Sequence, residues 1–176
     1  MNNSFKLGIK LLVITSVTAL ALALTNNMTQ PIIEAHQQEA LKESLAVVYE
    51  ADSYEELEVE KPDTVEVVYK ADDGYVFQIL SPGGYGGDIE YLIGVDSEHN
   101  ITGFAPLNHA ESAGFGQQME EDFFKEGMVG VNMDQEVKAS ATGGENEIVG
   151  LSGATISTNT ILKGINDARE VLSSLE

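Results

Sequence analysis

The stretch TVEVVYKADDGYVFQIL, residues 64–80, holds two runs of β-branched and aromatic side chains around a polar centre. Thr64–Lys70 and Gly74–Leu80 read as strands, and Ala71-Asp72-Asp73-Gly74 reads as the turn of an antiparallel hairpin. A second pair follows in Asp88–Val95 (DIEYLIGV) and Asn100–Ala105 (NITGFA), joined by polar Asp96-Ser97-Glu98-His99. Further along, Gln117–Glu126 reads as a helix with Met119, Phe123 and Phe124 facing inward. Met128–Met133 and Gln135–Ala139 suit short strands, and Ala141–Glu147 is a polar loop. Thr158–Leu175 reads as an amphipathic helix with Ile161, Leu162, Ile165, Ala168, Val171 and Leu172 on one stripe. Strands in the middle and helices at the ends give an α+β fold with a mainly antiparallel sheet and a C-terminal helix. No internal repeat is visible.

Upstream, Leu7–Leu24 (LGIKLLVITSVTALALAL) is apolar apart from Lys10. As a helix it would span roughly 27 Å at about 1.5 Å per residue, close to the roughly 30 Å hydrocarbon core of a bilayer. A cleaved signal peptide is one reading, because Lys6 and Lys10 are basic and Ala19–Ala23 contains overlapping A-x-A triplets. An uncleaved transmembrane anchor is the other, and is favoured because the apolar run continues through Leu24. Lys6 and Lys10 then stay in the cytoplasm by the positive-inside rule, and the remainder lies outside. Pro31 suits the first turn of a further helix running to about Val48 as a stalk. Acidic sequence through Asp52–Leu57 follows and ends at Pro62. The expected organisation is an anchor over 1–25, a helical stalk over 26–62 and a domain over 63–176.

The chain has 176 residues, 43% of them hydrophobic, which is enough for one packed domain with an appendage. With 29 acidic against 9 basic residues, its net charge of −20 disfavours nucleic acid as a partner. The absence of cysteine excludes thiolate-held clusters, disulfides and cysteine nucleophiles. His36, His99 and His109 have no metal-ligand spacing, so no metal site is expected.

Three stretches could carry chemistry. Pro82-Gly83-Gly84-Tyr85-Gly86-Gly87 is either a flexible turn or a place where backbone approaches a ligand. His109-Ala110-Glu111-Ser112-Ala113-Gly114-Phe115-Gly116 combines an imidazole, a carboxylate, a hydroxyl and two glycines ahead of a helix. His109 and Glu111 could act as an acid/base pair, but no nucleophile stands in a hydrolase-like context, and an ordinary capped loop is the alternative. In Ser152-Gly153-Ala154-Thr155-Ile156-Ser157-Thr158, small residues leave Thr155 open just before a helix. A phosphate ester there would meet unpaired N–H groups and the favourable end of the helix dipole. Ser157 or Thr158 would cap the helix.

Ser152-Gly153-Ala154-Thr155 resembles the flavinylation motif of the FMN-binding domain family, which includes the RnfG subunit of the Rnf electron transport complex. The apolar segment running into Asn26–Ile32, the turn Gly83–Gly87 and the stretch His109–Gly116 are similar to the RnfG pattern in the same order. The resemblance implies FMN joined through its phosphate to Thr155 by a flavin transferase. It makes Ser152, Gly153, Ala154, Gly84, Tyr85, Gly86, His109, Glu111, Ser112, Gly114, Phe115 and Gly116 the further candidate cofactor-binding residues. It also implies a relay subunit of a membrane-bound, ion-translocating ferredoxin-to-NAD complex, with other subunits as partners, rather than a complete enzyme. The expected location is a bacterial cell membrane, with a single pass and an extracytoplasmic flavin domain. A stand-alone membrane-anchored FMN carrier is the alternative. An anchored binding domain without flavin is a further one, because Val149 stands where the family pattern has an acidic residue.

Overall fold

The computed structural model describes residues 3–144 and 146–175. The described residues of its first unit, Met1–Leu41, are helical, and those of the second, Lys42–Glu176, form a packed α+β domain. Helix α1 runs over Asn3–Val48, with Pro31 inside it rather than at a helix start. Its segment Lys6–Pro31, 26 residues, is long and apolar enough to cross a membrane, a test that an N-terminal signal sequence also passes.

The domain is built on an antiparallel sheet in which β1 (Tyr54–Leu57), β2 (Val65–Ala71), β3 (Gly74–Ser81), β4 (Ile89–Val95) and β5 (Ile101–Asn108) lie in chain order. The hairpin at 71–74 forms as the sequence indicates, with Ala71 paired to Gly74 and Asp72 at positive φ in the turn. Alternation then sorts the sheet into two faces. Phe77 and Ile79 pair with Ile93 and Tyr91, and this face packs on α3 (Thr155–Leu172). On the opposite face Gly94 and Gly103 pair, and a Cβ on either would collide with the backbone of Val48. Thr102 Oγ1 donates to the Val48 carbonyl there at 2.6 Å.

Several expectations are corrected. The acidic stretch after α1 supplies the edge strand β1, whose backbone pairs with β2 despite its carboxylates. The helix expected over 117–126 is broken. A 3-10 turn, Gly116–Glu120, ends where Glu121 is extended, and α2 covers only Asp122–Glu126. The break turns Phe123 outward to 43% exposure, while Met119 and Phe124 stay buried. Met128–Met133 forms turns with a single bridge at Asn132, because Gly130 takes a positive φ. The short strands are β6 (Lys138–Ser140) and β7 (Glu147–Val149), paired in parallel. Helix α3 begins at Thr155, three residues before the expected Thr158.

Candidate functional site

Three connections meet at one end of the sheet: the glycine turn between β3 and β4, the loop after β5, and the segment leading into α3. They enclose a cleft of about 450 Å³ lined by Tyr85, Glu111, Phe115, Gly153, Thr155 and Ile156, with Ser112, Ala113, Gly116, Ala154 and Ser157 completing it. Tyr85, Phe115 and Ile156 are each more than half exposed there and present apolar surface to the cleft. Small side chains and an early helix start account for the opening. Gly153 takes φ +72°, a conformation that favours glycine, and a Cβ there would press on the Phe115 ring at 3.2 Å.

Thr155 is the first residue of α3 and is exposed to the cleft. The first turn of α3 has no side-chain cap, and its first helical bond runs from the Thr158 N–H to the Ala154 carbonyl. The N–H groups of Thr155, Ile156 and Ser157 precede that bond, so the helix start offers donors toward the cleft side. Neither expected cap is one. Thr158 Oγ1 accepts from the Leu151 N–H and donates to the Ala154 carbonyl, each at 3.0 Å. Ser157 is fully buried, and its hydroxyl donates to Glu111 Oε2 at 2.6 Å. Of the three hydroxyls in this turn, Thr155 is the open one.

Glu111 is the hub of the cleft wall. Its Oε1 accepts from the Gly86 N–H at 3.1 Å while Oε2 accepts from the Ser157 hydroxyl, so one carboxylate ties the glycine turn to α3. Gln118 adds a second tie, donating to the Gly114 carbonyl at 2.7 Å and to the Ser152 carbonyl at 3.2 Å. His109 stands behind the wall. Its Nε2 lies 2.9 Å from Glu120 Oε1, and its Nδ1 accepts from the Glu111 N–H at 3.3 Å. His109 and Glu111 therefore do not face one another through their side chains.

Of the residues singled out in the sequence, Thr155, Gly153, Ala154, Tyr85, Glu111, Ser112, Phe115 and Gly116 line the cleft. Gly84 and Gly86 are turned toward Glu111 and the Ala110 carbonyl instead. Gly114 and Ser152 supply the carbonyls that Gln118 holds. The sequence pattern does not mark Ala113, Ile156 or Ser157 as lining residues, and Ser157 shares no local pattern with Glu111, 46 residues away.

A model of the RnfG N-terminal region matches residues 1–48, and one of the FMN-binding domain matches residues 84–170. The G subunit of the Na(+)-translocating ferredoxin:NAD(+) oxidoreductase complex of Acetobacterium woodii is 30% identical across 97% of this chain and 92% of its own. The chain belongs to the FMN-binding, RnfG-like family. Another relative in the family, the G subunit of the ion-translocating oxidoreductase complex of Methanosarcina acetivorans, is 30% identical across 97% of this chain and 95% of its own. The crystal structure of the C subunit of Na(+)-translocating NADH-quinone reductase from Parabacteroides distasonis shares the fold, with a TM-score of 0.50 and 22% identity over 62% of this chain and 61% of that one.

Proposed function

We propose that this chain is the flavin-carrying subunit of an Rnf-type, ion-translocating electron transport complex, with FMN joined through its phosphate to the Thr155 hydroxyl. The family membership and the names of the RnfG-like relatives support the complex and the flavin. The observation that carries the attachment is the exposed Thr155 hydroxyl at the start of α3, opening on the cleft. The residues fit the group. A space of about 450 Å³ lies in the range of small-molecule sites. The apolar sides of Tyr85, Phe115 and Ile156 suit a flat ring, and the unpaired N–H groups of the first turn suit a phosphate diester. When bound, the flavin supplies the redox chemistry and the protein supplies position and electrostatics. Glu111 and Gln118 brace both flanks of Thr155, through Ser157 and the Ser152 carbonyl.

In this reading a flavin transferase makes the phosphoester. The segment Lys6–Pro31 anchors the chain in a bacterial cell membrane, and the domain lies outside the cytoplasm. Lys6 and Lys10, near the start of the apolar run, support that orientation. The boundaries read from sequence, anchor 1–25, stalk 26–62 and flavin domain 63–176, enter the proposal with one change: the edge strand β1 (Tyr54–Leu57) joins the flavin domain, because it pairs with β2.

The test is intact mass and in-gel flavin fluorescence of the chain co-expressed with a flavin transferase. Thr155→Val keeps the shape and removes the oxygen, so both signals should vanish. They should persist in Ser157→Ala, whose hydroxyl is buried. Flavin retained on Thr155→Val would move the attachment elsewhere.

A further inference from the structure

We propose that the Glu111 carboxylate sets the redox potential of the flavin held in the cleft and keeps it low. This rests on the flavin reading above and adds a role that the attachment itself does not need. The wall is built around this one charge. A Cβ on Gly84 would sit 2.6 Å from Glu111 Oε1, and one on Gly116 would overlap Oε2 and lie 2.8 Å from the Glu111 Cβ. One on Gly86 would run into the Ala110 carbonyl and come within 2.9 Å of the Glu111 nitrogen. Glycine is the conformationally most costly residue to order, yet three stand against Glu111 or the backbone beside it. The Gly86 N–H and the Ser157 hydroxyl then fix the two oxygens separately.

Among the described residues, Glu111 is the one carboxylate lining the cleft, and no Lys, Arg or His lines it. Nor does a cation pair with it among the described residues, since the His109 side chain turns its Nε2 to Glu120. The apolar surfaces of Tyr85, Phe115 and Ile156 beside it reduce screening by water.

Reduction of the oxidised ring by two electrons and one proton from water adds one negative charge to it. In the titration below the electrons come from dithionite. A fixed carboxylate on the same cleft opposes that added charge and leaves the neutral oxidised ring nearly unaffected. Removing the charge should favour the reduced form about tenfold, the size of a unit-charge interaction at intermediate dielectric, or about 30 mV for a two-electron couple.

Glu111→Gln is the matched variant. Its amide oxygen can accept from the Gly86 N–H, and its NH₂ can donate to Ser157 Oγ, so the wall is kept and the charge is lost. The flavinylated full chain, in detergent, is titrated with dithionite against a reference dye. Loading is measured by intact mass and folding by thermal melt. The expected result is full loading, an unchanged melt and a potential raised by about 30 mV. Glu126→Gln, which removes the same charge from an exposed site outside the cleft, should leave the potential near wild type. An unchanged potential in fully loaded Glu111→Gln, or an equal shift in Glu126→Gln, overturns the proposal. Loss of flavin from both Glu111→Gln and the uncharged Glu111→Met also overturns it, by making Glu111 a residue that retains flavin rather than tunes it. Absence of flavin from the wild-type chain would instead defeat the functional reading.

Discussion

Helices α1 and α3 are the two long helices described, and they differ in what their apolar side chains meet. In α3, Ile161, Ile165 and Ala168 are fully buried on the sheet, while Lys163 and Glu170 remain exposed. In α1, Leu11, Leu12, Ile14, Val17 and Leu20 lie on several sides, and each is more than 60% exposed. One helix has a face and the other has none. A helix apolar all round is stable where its surroundings are apolar too. Its polar groups follow the same rule: Thr15, Thr18 and Thr25 donate their hydroxyls to carbonyls of their own helix, Leu11, Ile14 and Ala21, at 2.9–3.0 Å. No water is needed to satisfy them, which is the condition for entering hydrocarbon. Helix α3, by contrast, uses its buried stripe to fix where its first turn, and so Thr155, stands against the cleft.

The contrast breaks most visibly if charge enters α1. Val13→Lys with Val17→Lys should cost about 2.5–3.5 kcal/mol per lysine near the centre of a span. The double variant should leave the carbonate-washed membrane fraction in which the wild type remains. Undiminished membrane retention would mean that α1 does not hold the chain there.

Truncation should separate the helices next. Ile165→Ala opens a cavity under α3 and should cost about 2–5 kcal/mol, lowering the thermal midpoint of the domain in detergent. Leu20→Ala removes a comparable side chain that touches no core and should leave that midpoint alone. Equal shifts in the two variants would show that the apolar segment of α1, and not only its last residues, contributes to the domain's core.

A third variant tests the closest approach of α3 to the sheet. A Cβ at Gly164 would overlap Ser81 Oγ and the Tyr91 hydroxyl, and Tyr91 already donates to the Ile161 carbonyl at 2.7 Å. Gly164→Ala should destabilise the domain by about 1–3 kcal/mol through overpacking, although alanine is the better helix former. A raised midpoint would show that the sheet yields at this point.

The same contrast explains what could be read in the sequence. β2 to β5 and the buried stripe of α3 were legible, because period-2 and period-3.6 patterns report burial directly. β1 was not, because an edge strand needs only backbone partners and its side chains, YEEL, carry no burial pattern. The break at Glu121 depends on one extended residue inside a pattern that suits a continuous helix. At the site, the exposure of Thr155 was legible in the small residues ahead of it. The bond between Ser157 and Glu111 did not, because hydroxyls near a helix start look like caps until the fold brings a distant carboxylate to them.

The smallest expected effect concerns the border between the two behaviours, which lies inside α1. Its last residues Leu45 and Val48 are buried, unlike those upstream, and Tyr49 just beyond donates to Asp73 Oδ1 at 2.6 Å. Burial, then the bond to Asp73 and the charges of Asp73, Asp72 and Asp96, push the Tyr49 hydroxyl up to about 12. The unfolded chain loses that proton near pH 10, at the ordinary tyrosine value. Below pH 10 both states hold the proton and the stabilisation is complete. Between pH 10 and 12 the unfolded state releases it first, so stability falls as pH rises. Tyr49→Phe removes both the bond and this dependence. It should melt slightly below wild type at pH 8, and the gap should narrow steadily from pH 10 to 12. Tyr54, Tyr69 and Tyr91 are also shifted upward by burial, but they remain in both proteins and cancel in the difference. A gap that stays constant from pH 8 to 12 would mean that Tyr49 is as free in the folded chain as in the unfolded one, and that its bond to Asp73 does not fasten the end of α1.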